Sequence, residues 1–269
     1  MPVPVEIDDP ADPRIAAYRA IRERDLVGRE GRFVAEGEVV LRLLLRSSRF
    51  RPESVLIDRR RLPALAALLS EVPSDVPVYA AAQAVIDGVA GFSIHRGVLA
   101  MGRRGTEPAA EALVAALPAR ARLLVAVGIA NHDNMGGLFR NAAAFGVDAV
   151  LLDPTACDPL YRKAIRVSVG AALTVPFARA ASLDALLDLL ARAGIATYAL
   201  SPEGATDIAA LVPPGRFALV VGTEGPGLPE AVLRRLPGLR IPMAGGFDSL
   251  NVATAAAVAL YALEQAAAP

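Results

Sequence analysis

Between Arg122 and Gly128 the chain reads Leu123-Leu124-Val125-Ala126-Val127, an apolar run with no polar residue to turn toward water. A strand of this composition must be covered on both faces, which is the condition of strands in parallel sheets flanked by crossover helices. The second half of the chain repeats the theme. Extended runs are read at Ala149–Leu152, 195–200, 217–221 and 239–242, with helical patterns at 138–145, 183–193 and 229–236 between them. Strands alternating with helices predict an α/β fold with a mostly parallel sheet. The series ends in a helix over 252–263, apolar on most faces, which should be buried in a core or against a partner.

The first hundred residues read as a smaller α/β unit. A helix is expected over 13–21, a strand at Arg32–Glu36 and a packed helix at Glu38–Leu45. Short strands follow at 54–57 and 76–79, around a helix over 62–69, with a last strand at 97–101. Arg103-Arg104-Gly105-Thr106-Glu107-Pro108 interrupts the pattern. The expected division is therefore a domain over 1–104, a linker over 105–118 and a second domain over 119–269.

Composition bounds the reading. With 54% hydrophobic residues the chain is not a disordered one. Its 28 basic and 28 acidic residues cancel, so net charge gives no support for nucleic-acid binding. Lys163 is the one lysine. Arginine clusters (Arg42, Arg46, Arg49 and Arg51; Arg59-Arg60-Arg61) could nonetheless contact phosphates. Cys157 is the single cysteine and fits a reducing compartment. The run 252–263 is too short for a bilayer, which needs about 20 residues. No signal peptide is apparent, so a soluble, cytoplasmic protein is expected. Cys157 and His95 read as structural or incidental.

Three polar, glycine-containing segments each follow a predicted strand, where open parallel sheets collect ligands. The first runs Asn131-His132-Asp133-Asn134-Met135-Gly136-Gly137-Leu138-Phe139-Arg140-Asn141. Asn134 is expected to cap the following helix, with Arg140 nearly two turns further on. The second is Gly222-Thr223-Glu224-Gly225-Pro226-Gly227-Leu228. Its spacing is wrong for a dinucleotide-binding G-x-G-x-x-G, and Glu224 would oppose a pyrophosphate. A cationic ligand would be better served. The third is Ile241-Pro242-Met243-Ala244-Gly245-Gly246-Phe247-Asp248-Ser249-Leu250-Asn251-Val252. Asp248 and Ser249 are natural N-caps for the final helix. Asn251 is not explained by capping, so its amide should have a specific partner.

In this order the three segments resemble the signature motifs of the SpoU/TrmH class of RNA ribose 2′-O-methyltransferases. Asn134 and Arg140 match the first motif, Gly222-Thr223-Glu224-Gly225 with Gly227 and Leu228 the second, and Ile241-Pro242-Met243 with Ser249-Leu250-Asn251-Val252 the third. Arg162-Lys163-Ala164-Ile165-Arg166-Val167-Ser168-Val169-Gly170 is similar to the family as well. Phe33-Val34-Ala35-Glu36-Gly37-Glu38 and Arg96-Gly97-Val98-Leu99-Ala100 more loosely resemble the small L30e-like (ribosomal-protein-like) substrate-binding domain of many members. His132-Asp133 and Asn141 depart from the usual residues.

The resemblance implies a C-terminal trefoil-knot methyltransferase domain, S-adenosylmethionine as methyl donor with S-adenosylhomocysteine as product, and an RNA substrate. It also implies a homodimer with the site completed across the interface, and neither a metal nor a membrane. Arg140, Asn134, Glu224, Ser249 and Asn251 would be the catalytic set. Ser201, Gly222, Thr223, Gly227, Ile241, Met243, Leu250 and Asn251 would hold the cofactor. Ribosomal RNA is slightly favoured over transfer RNA as substrate. A nucleotide-dependent oxidoreductase and a non-catalytic RNA-binding module are the alternatives from other classes.

Overall fold

The structure, a computed structural model, describes residues 2–19, 23–90, 94, 97–245 and 248–266. Ile21, His95, Arg96, Gly246 and Phe247, named above, lie outside the described residues. The strands are β1 (Val5–Ile7), β2 (Arg32–Glu36), β3 (Arg51–Asp58), β4 (Val78–Ala81), β5 (Val98–Arg103) and β6 (Ala121–Ala126). They continue with β7 (Ala149–Leu152), β8 (Phe177–Arg179), β9 (Ala196–Leu200), β10 (Thr206–Asp207), β11 (Arg216–Val221) and β12 (Gly238–Arg240). The helices are α1 (Glu23–Gly28), α2 (Glu38–Leu45), α3 (Ala66–Leu69), α4 (Gln83–Ala90) and α5 (Ala110–Ala115). After them come α6 (His132–Ala144), α7 (Arg162–Val167), α8 (Leu183–Arg192), α9 (Glu230–Arg235) and α10 (Val252–Ala266).

The chain forms two compact units. One comprises Met1–Thr106 with Leu160–Thr174, the other Glu107–Pro159 with Val175–Pro269. The sequence division treats 119–269 as one continuous body, whereas Leu160–Thr174 belongs to the first unit. In the stretch read as a linker, α5 buries Ala110 and Val114 in the core of the second unit.

In the first unit the sheet order is β1-β4-β3-β5-β2, with β1, β4 and β3 parallel and β5 antiparallel to β3 and β2. Pairing of β3 with β5 shifts register between Pro52 and Ser54. There the buried Tyr18 hydroxyl lies 2.7 Å from Ser54 Oγ and accepts from the Met101 amide at 3.2 Å. That contact satisfies polar groups which the interior would otherwise leave without partners. The helix expected over 62–69 is reduced to α3 after a 3-10 turn, Arg59–Arg61; Pro63 has no N–H for a helical ladder. Over 13–21 the helix is a 3-10 helix, Pro13–Tyr18.

Arg162 on α7 donates to the buried Glu36 at 3.1 Å. After α7 the backbone reverses through Val169 (φ 53°) and Gly170 (φ 84°). The left-handed φ of Gly170 favours glycine, and a Cβ there would also crowd Leu43 Cδ1 of α2 at 2.7 Å. Of the arginines considered for phosphate contact, Arg59 pairs with Glu6 (3.1 Å) and Asp8 (2.6 Å), Arg60 with Asp58 (2.6 Å) and Arg46 with Glu71 (3.3 Å).

The second unit has a parallel seven-stranded sheet, β10-β12-β9-β11-β6-β7-β8. β6 and β11 sit inside it, and their residues alternate between two covered faces. Leu123, Val125, Ala218 and Val220 join Val114 of α5, Leu186 and Leu190 of α8 and Val232 of α9 in one core. On another contact, Gly137 of α6 meets Ala253 of α10 so closely that a Cβ on Gly137 would lie 2.7 Å from Ala253 Cβ. The chain runs β6 to β7 to β8 in one direction, then returns to β9 and inserts β11 beside β6. That reversal of strand order is where such sheets open a crevice at their carboxyl ends.

Candidate active site

α6 begins earlier than the sequence pattern indicates because Asn131, not Asn134, caps it. Asn131 Oδ1 accepts from the amides of Asp133 (2.8 Å) and Asn134 (3.4 Å). This frees the Asn134 side chain, 6% exposed, to face away from its own helix end. The cap of α10 is likewise Asn251 rather than Asp248 or Ser249. Its Oδ1 accepts from Ala253 N at 2.9 Å and Thr254 N at 3.3 Å, two of the donors a helix start leaves without intrahelical partners.

The Asn251 Nδ2 donates to Asn134 Oδ1 at 2.8 Å and to Glu224 Oε1 at 2.7 Å. One side chain therefore joins all three segments picked out in the sequence. The partner expected for this amide is two partners, one from each of the other segments.

The loop carrying Glu224 is a tight reversal. Thr223 and Gly227 exchange backbone hydrogen bonds at 3.3 and 3.1 Å, and Gly225 and Gly227 have φ of 83° and 70°. Thr223 Oγ1 also donates to Gly227 O at 3.2 Å. A Cβ on Gly222 would stand 2.5 Å from the Gly227 carbonyl, so the loop closes on bare backbone. Beneath it, buried Asp153 accepts from Gly128 N (2.9 Å), Ala156 N (2.9 Å) and Thr155 Oγ1 (2.6 Å). A Cβ on Gly128 would meet Thr223 Cγ2 at 2.7 Å. The sequence reading missed Asp153 and Gly128. Their signal was an Asp-Pro and a glycine directly after two apolar strands.

A pocket of about 440 Å³ opens between these loops. Ser201, Gly222, Thr223, Glu224, Gly227, Ile241, Met243, Ser249, Leu250 and Asn251, all singled out from sequence, line it. Leu200, Val221, Val252 and Ala255 add apolar wall that was not in the expected cofactor-binding set. Among the described residues lining it there is one acid, Glu224, and no base. Such a lining suits a cationic, largely apolar ligand and opposes a pyrophosphate, which argues against the nucleotide-dependent oxidoreductase. S-adenosylmethionine, a sulfonium cation carrying an adenosine, fits this lining.

Asn134 and Arg140 do not line the pocket: Asn134 meets it through Asn251, whereas Arg140 is exposed on α6. Six residues separate it from Asn134, about 240° around a helix at 3.6 residues per turn, so the two side chains leave α6 in different directions. Cys157 lies on a neighbouring loop, its amide donating to Ile129 O at 2.8 Å. Burial pushes its thiol up to about 12, which removes it as a nucleophile at neutral pH.

The description of the SpoU rRNA methylase family matches residues 121–261. An uncharacterized tRNA/rRNA methyltransferase of Mycobacterium bovis is 43% identical over 266 residues, 95% of this chain and 90% of that protein. The 23S rRNA (guanosine-2′-O-)-methyltransferase RlmB of Xanthomonas campestris is 34% identical over 65% of this chain and 72% of its own. Among solved structures, an RNA 2′-O ribose methyltransferase superimposes with a TM-score of 0.80 at 27% identity, over 97% of this chain and 99% of that one. The AdoMet-bound rRNA methyltransferase from Sinorhizobium meliloti shares the fold, with a TM-score of 0.83 at 21% identity over 98% and 99% of the two chains. The protein belongs to the SpoU rRNA methylase family of S-adenosylmethionine-dependent RNA methyltransferases.

Proposed function

We propose that the chain methylates a ribose 2′-hydroxyl of RNA, with ribosomal RNA favoured over transfer RNA, as a cytoplasmic homodimer. The observation that carries this reading is the Asn251 amide, shared between Asn134 and Glu224 in the wall of a pocket whose described lining has one acid and no base. The RlmB relatives, named for guanosine-2′-O methylation of 23S rRNA, support the acceptor atom and the RNA class.

Leu200, Val221, Ile241, Met243 and Leu250, with backbone from Gly222, Thr223 and Gly227 and the Ser201 hydroxyl, would hold S-adenosylmethionine. Glu224, the acid among the described lining residues, would offset its positive charge. S-adenosylmethionine supplies an electrophilic methyl group when bound. Asn134, Glu224, Ser249 and Asn251 fix the approach of the ribose, since alignment of the two reactants supplies much of such a rate enhancement. Arg140 stabilises the developing alkoxide. A guanidinium with a pKa above about 12 is a poor base but a good partner for an oxyanion. Because Arg140 leaves α6 away from its own pocket, a second copy delivers it. The partly apolar outer face of α10, with Val258 and Tyr261 exposed and Tyr261 packed on Phe145, supports that association. The loops around the pocket take the trefoil-knotted path that the resemblance to the SpoU/TrmH class implies. The first unit takes the L30e-like role and binds the RNA.

Labelled S-adenosylmethionine incubated with unmodified ribosomal and transfer RNA, followed by digestion, tests the reading. A 2′-O-methylated nucleoside from ribosomal RNA is expected. Methylation on a base, or cofactor binding without transfer to either pool, would overturn it.

A further inference from the structure

We infer that Asn141 is a positioning residue for methyl transfer, acting through the first turn of α10. The inference rests on the methyltransferase reading above.

Asparagine is a weak helix former, yet Asn141 occupies the interior of α6. It stands seven residues after Asn134, two turns along, so both lie on one face of the helix. Gly137 falls on the same stripe between them. The stripe thus presents an amide, bare backbone and a second amide to α10. Each part has its own contact: Asn134 with Asn251 (2.8 Å), Gly137 against Ala253 Cβ, and Asn141 Nδ2 donating to Ala253 O at 2.7 Å.

The middle of this contact is smooth. Where glycine meets alanine there is no ridge to seat in a groove, and side-chain ridges normally set how far one helix slides along another. The two amides supply that register instead. Ala253 O already sits in a helical turn that provides it a donor four residues on, so the Asn141 bond is not needed to satisfy the carbonyl. What it does is hold the turn in place. The Ala253 amide in turn donates to Asn251 Oδ1, at 2.9 Å. From Asn141 the path therefore runs through one residue to the side chain that bridges Asn134 and Glu224, and to Leu250 and Val252 in the pocket wall.

A packing role alone would lower stability and leave the pocket unchanged in the folded fraction. A positioning role loosens the pocket. The full chain is compared with Asn141→Leu, which keeps the shape and lacks the donor, and Asn141→Gln, which keeps the donor on a longer arm. Asn141→Leu should weaken S-adenosylmethionine binding about tenfold by calorimetry and lower kcat, with KM for RNA unchanged. In the cofactor-free chain, hydrogen exchange at the Ala253 and Thr254 amides should accelerate. Asn141→Gln should recover part of both effects. If Asn141→Leu does not fold, Asn141→Asp, which turns an acceptor toward the carbonyl, carries the same expectation. A wild-type chain that binds the cofactor beside a variant with equal affinity and equal exchange overturns this inference alone. A wild-type chain that binds no cofactor overturns the methyltransferase reading instead.

Discussion

The Glu36 carboxylate, 6% exposed, accepts a hydrogen bond at 3.1 Å from Arg162, a residue 126 positions later in the chain. A carboxylate so far from water depends on that guanidinium. Replacing Arg162 with Met should lower stability by roughly 2 kcal/mol, the partly exposed arginine reducing the cost from that of a fully buried pair. The paired change Glu36→Gln with Arg162→Met should recover much of it. Urea denaturation of the wild type and both variants measures both quantities, and equal loss in the single and double variants would contradict the pairing.

Gly222→Ala places a Cβ 2.5 Å from the Gly227 carbonyl, a distance no real contact sustains. The hairpin around Gly225 must open to admit it, at about 1–3 kcal/mol. Because that hairpin carries Thr223 and Glu224, cofactor affinity should fall by about tenfold or more, read by calorimetry. Wild-type affinity would show that the loop yields without consequence.

Glu224 is exposed, so Glu224→Gln should alter stability by no more than about 0.5 kcal/mol. The amide oxygen still accepts from Asn251, and only the charge is lost. Affinity for S-adenosylmethionine should drop, while affinity for its uncharged-sulfur product, S-adenosylhomocysteine, should change less. An equal drop for both would assign Glu224 to holding Asn251 rather than to facing the sulfonium.

Arg140→Ala should abolish methylation with cofactor affinity intact. Mixed with Asn251→Ala, which loses the pocket cap but keeps Arg140, it should regain part of the wild-type rate as mixed pairs form. Absence of recovery in chains shown to exchange partners would place Arg140 in its own chain's reaction instead.

Tyr18 gives a stability change on the alkaline side. Burial raises its pKa above the ordinary 10.0, against the opposing hydrogen bonds from Ser54 and Met101. The unfolded chain therefore releases this proton near pH 10 while the folded chain keeps it. Its contribution is intact below about pH 10 and falls as the pH climbs further. Tyr18→Phe should cost about 1–3 kcal/mol at neutral pH by leaving Met101 N–H and Ser54 without their partner. It should also flatten the fall in thermal midpoint above pH 10; an unchanged slope would remove Tyr18 as its source.

The parallel sheet could be read from the chain because the runs 123–126, 149–152 and 217–221 within β6, β7 and β11 are apolar without alternation, a pattern few other settings allow. Much of the pocket lining was legible because Ser201, Gly222, Thr223, Glu224, Gly227, Ile241 and Met243 sit in loops that follow strands, whereas Leu200, Val221 and Ala255 lie within elements. Two features were not. Asn131, Asn134 and Asn251 are all good caps by type, and only the packing of α6 on α10 decides which asparagine caps and which bridges. Arg140 reads as part of the same motif as Asn134, yet sequence spacing does not say which side of a helix will face the pocket. The transfer of Leu160–Thr174 to the first unit was hidden for a related reason. It depends on Glu36 and Leu43, residues far away along the chain.

At Asn251 one short side chain uses all its polar atoms: an oxygen on two helix amides and a nitrogen on one helix side chain and one loop side chain. Aspartate would keep the cap and lose both donors. Glutamine would keep the donors but stand one methylene too far from the helix start, and serine would reach only the cap. The genetic code thus offers a single residue for this position. A lineage that changes residue 251 must rebuild a helix start and a binding site in the same step.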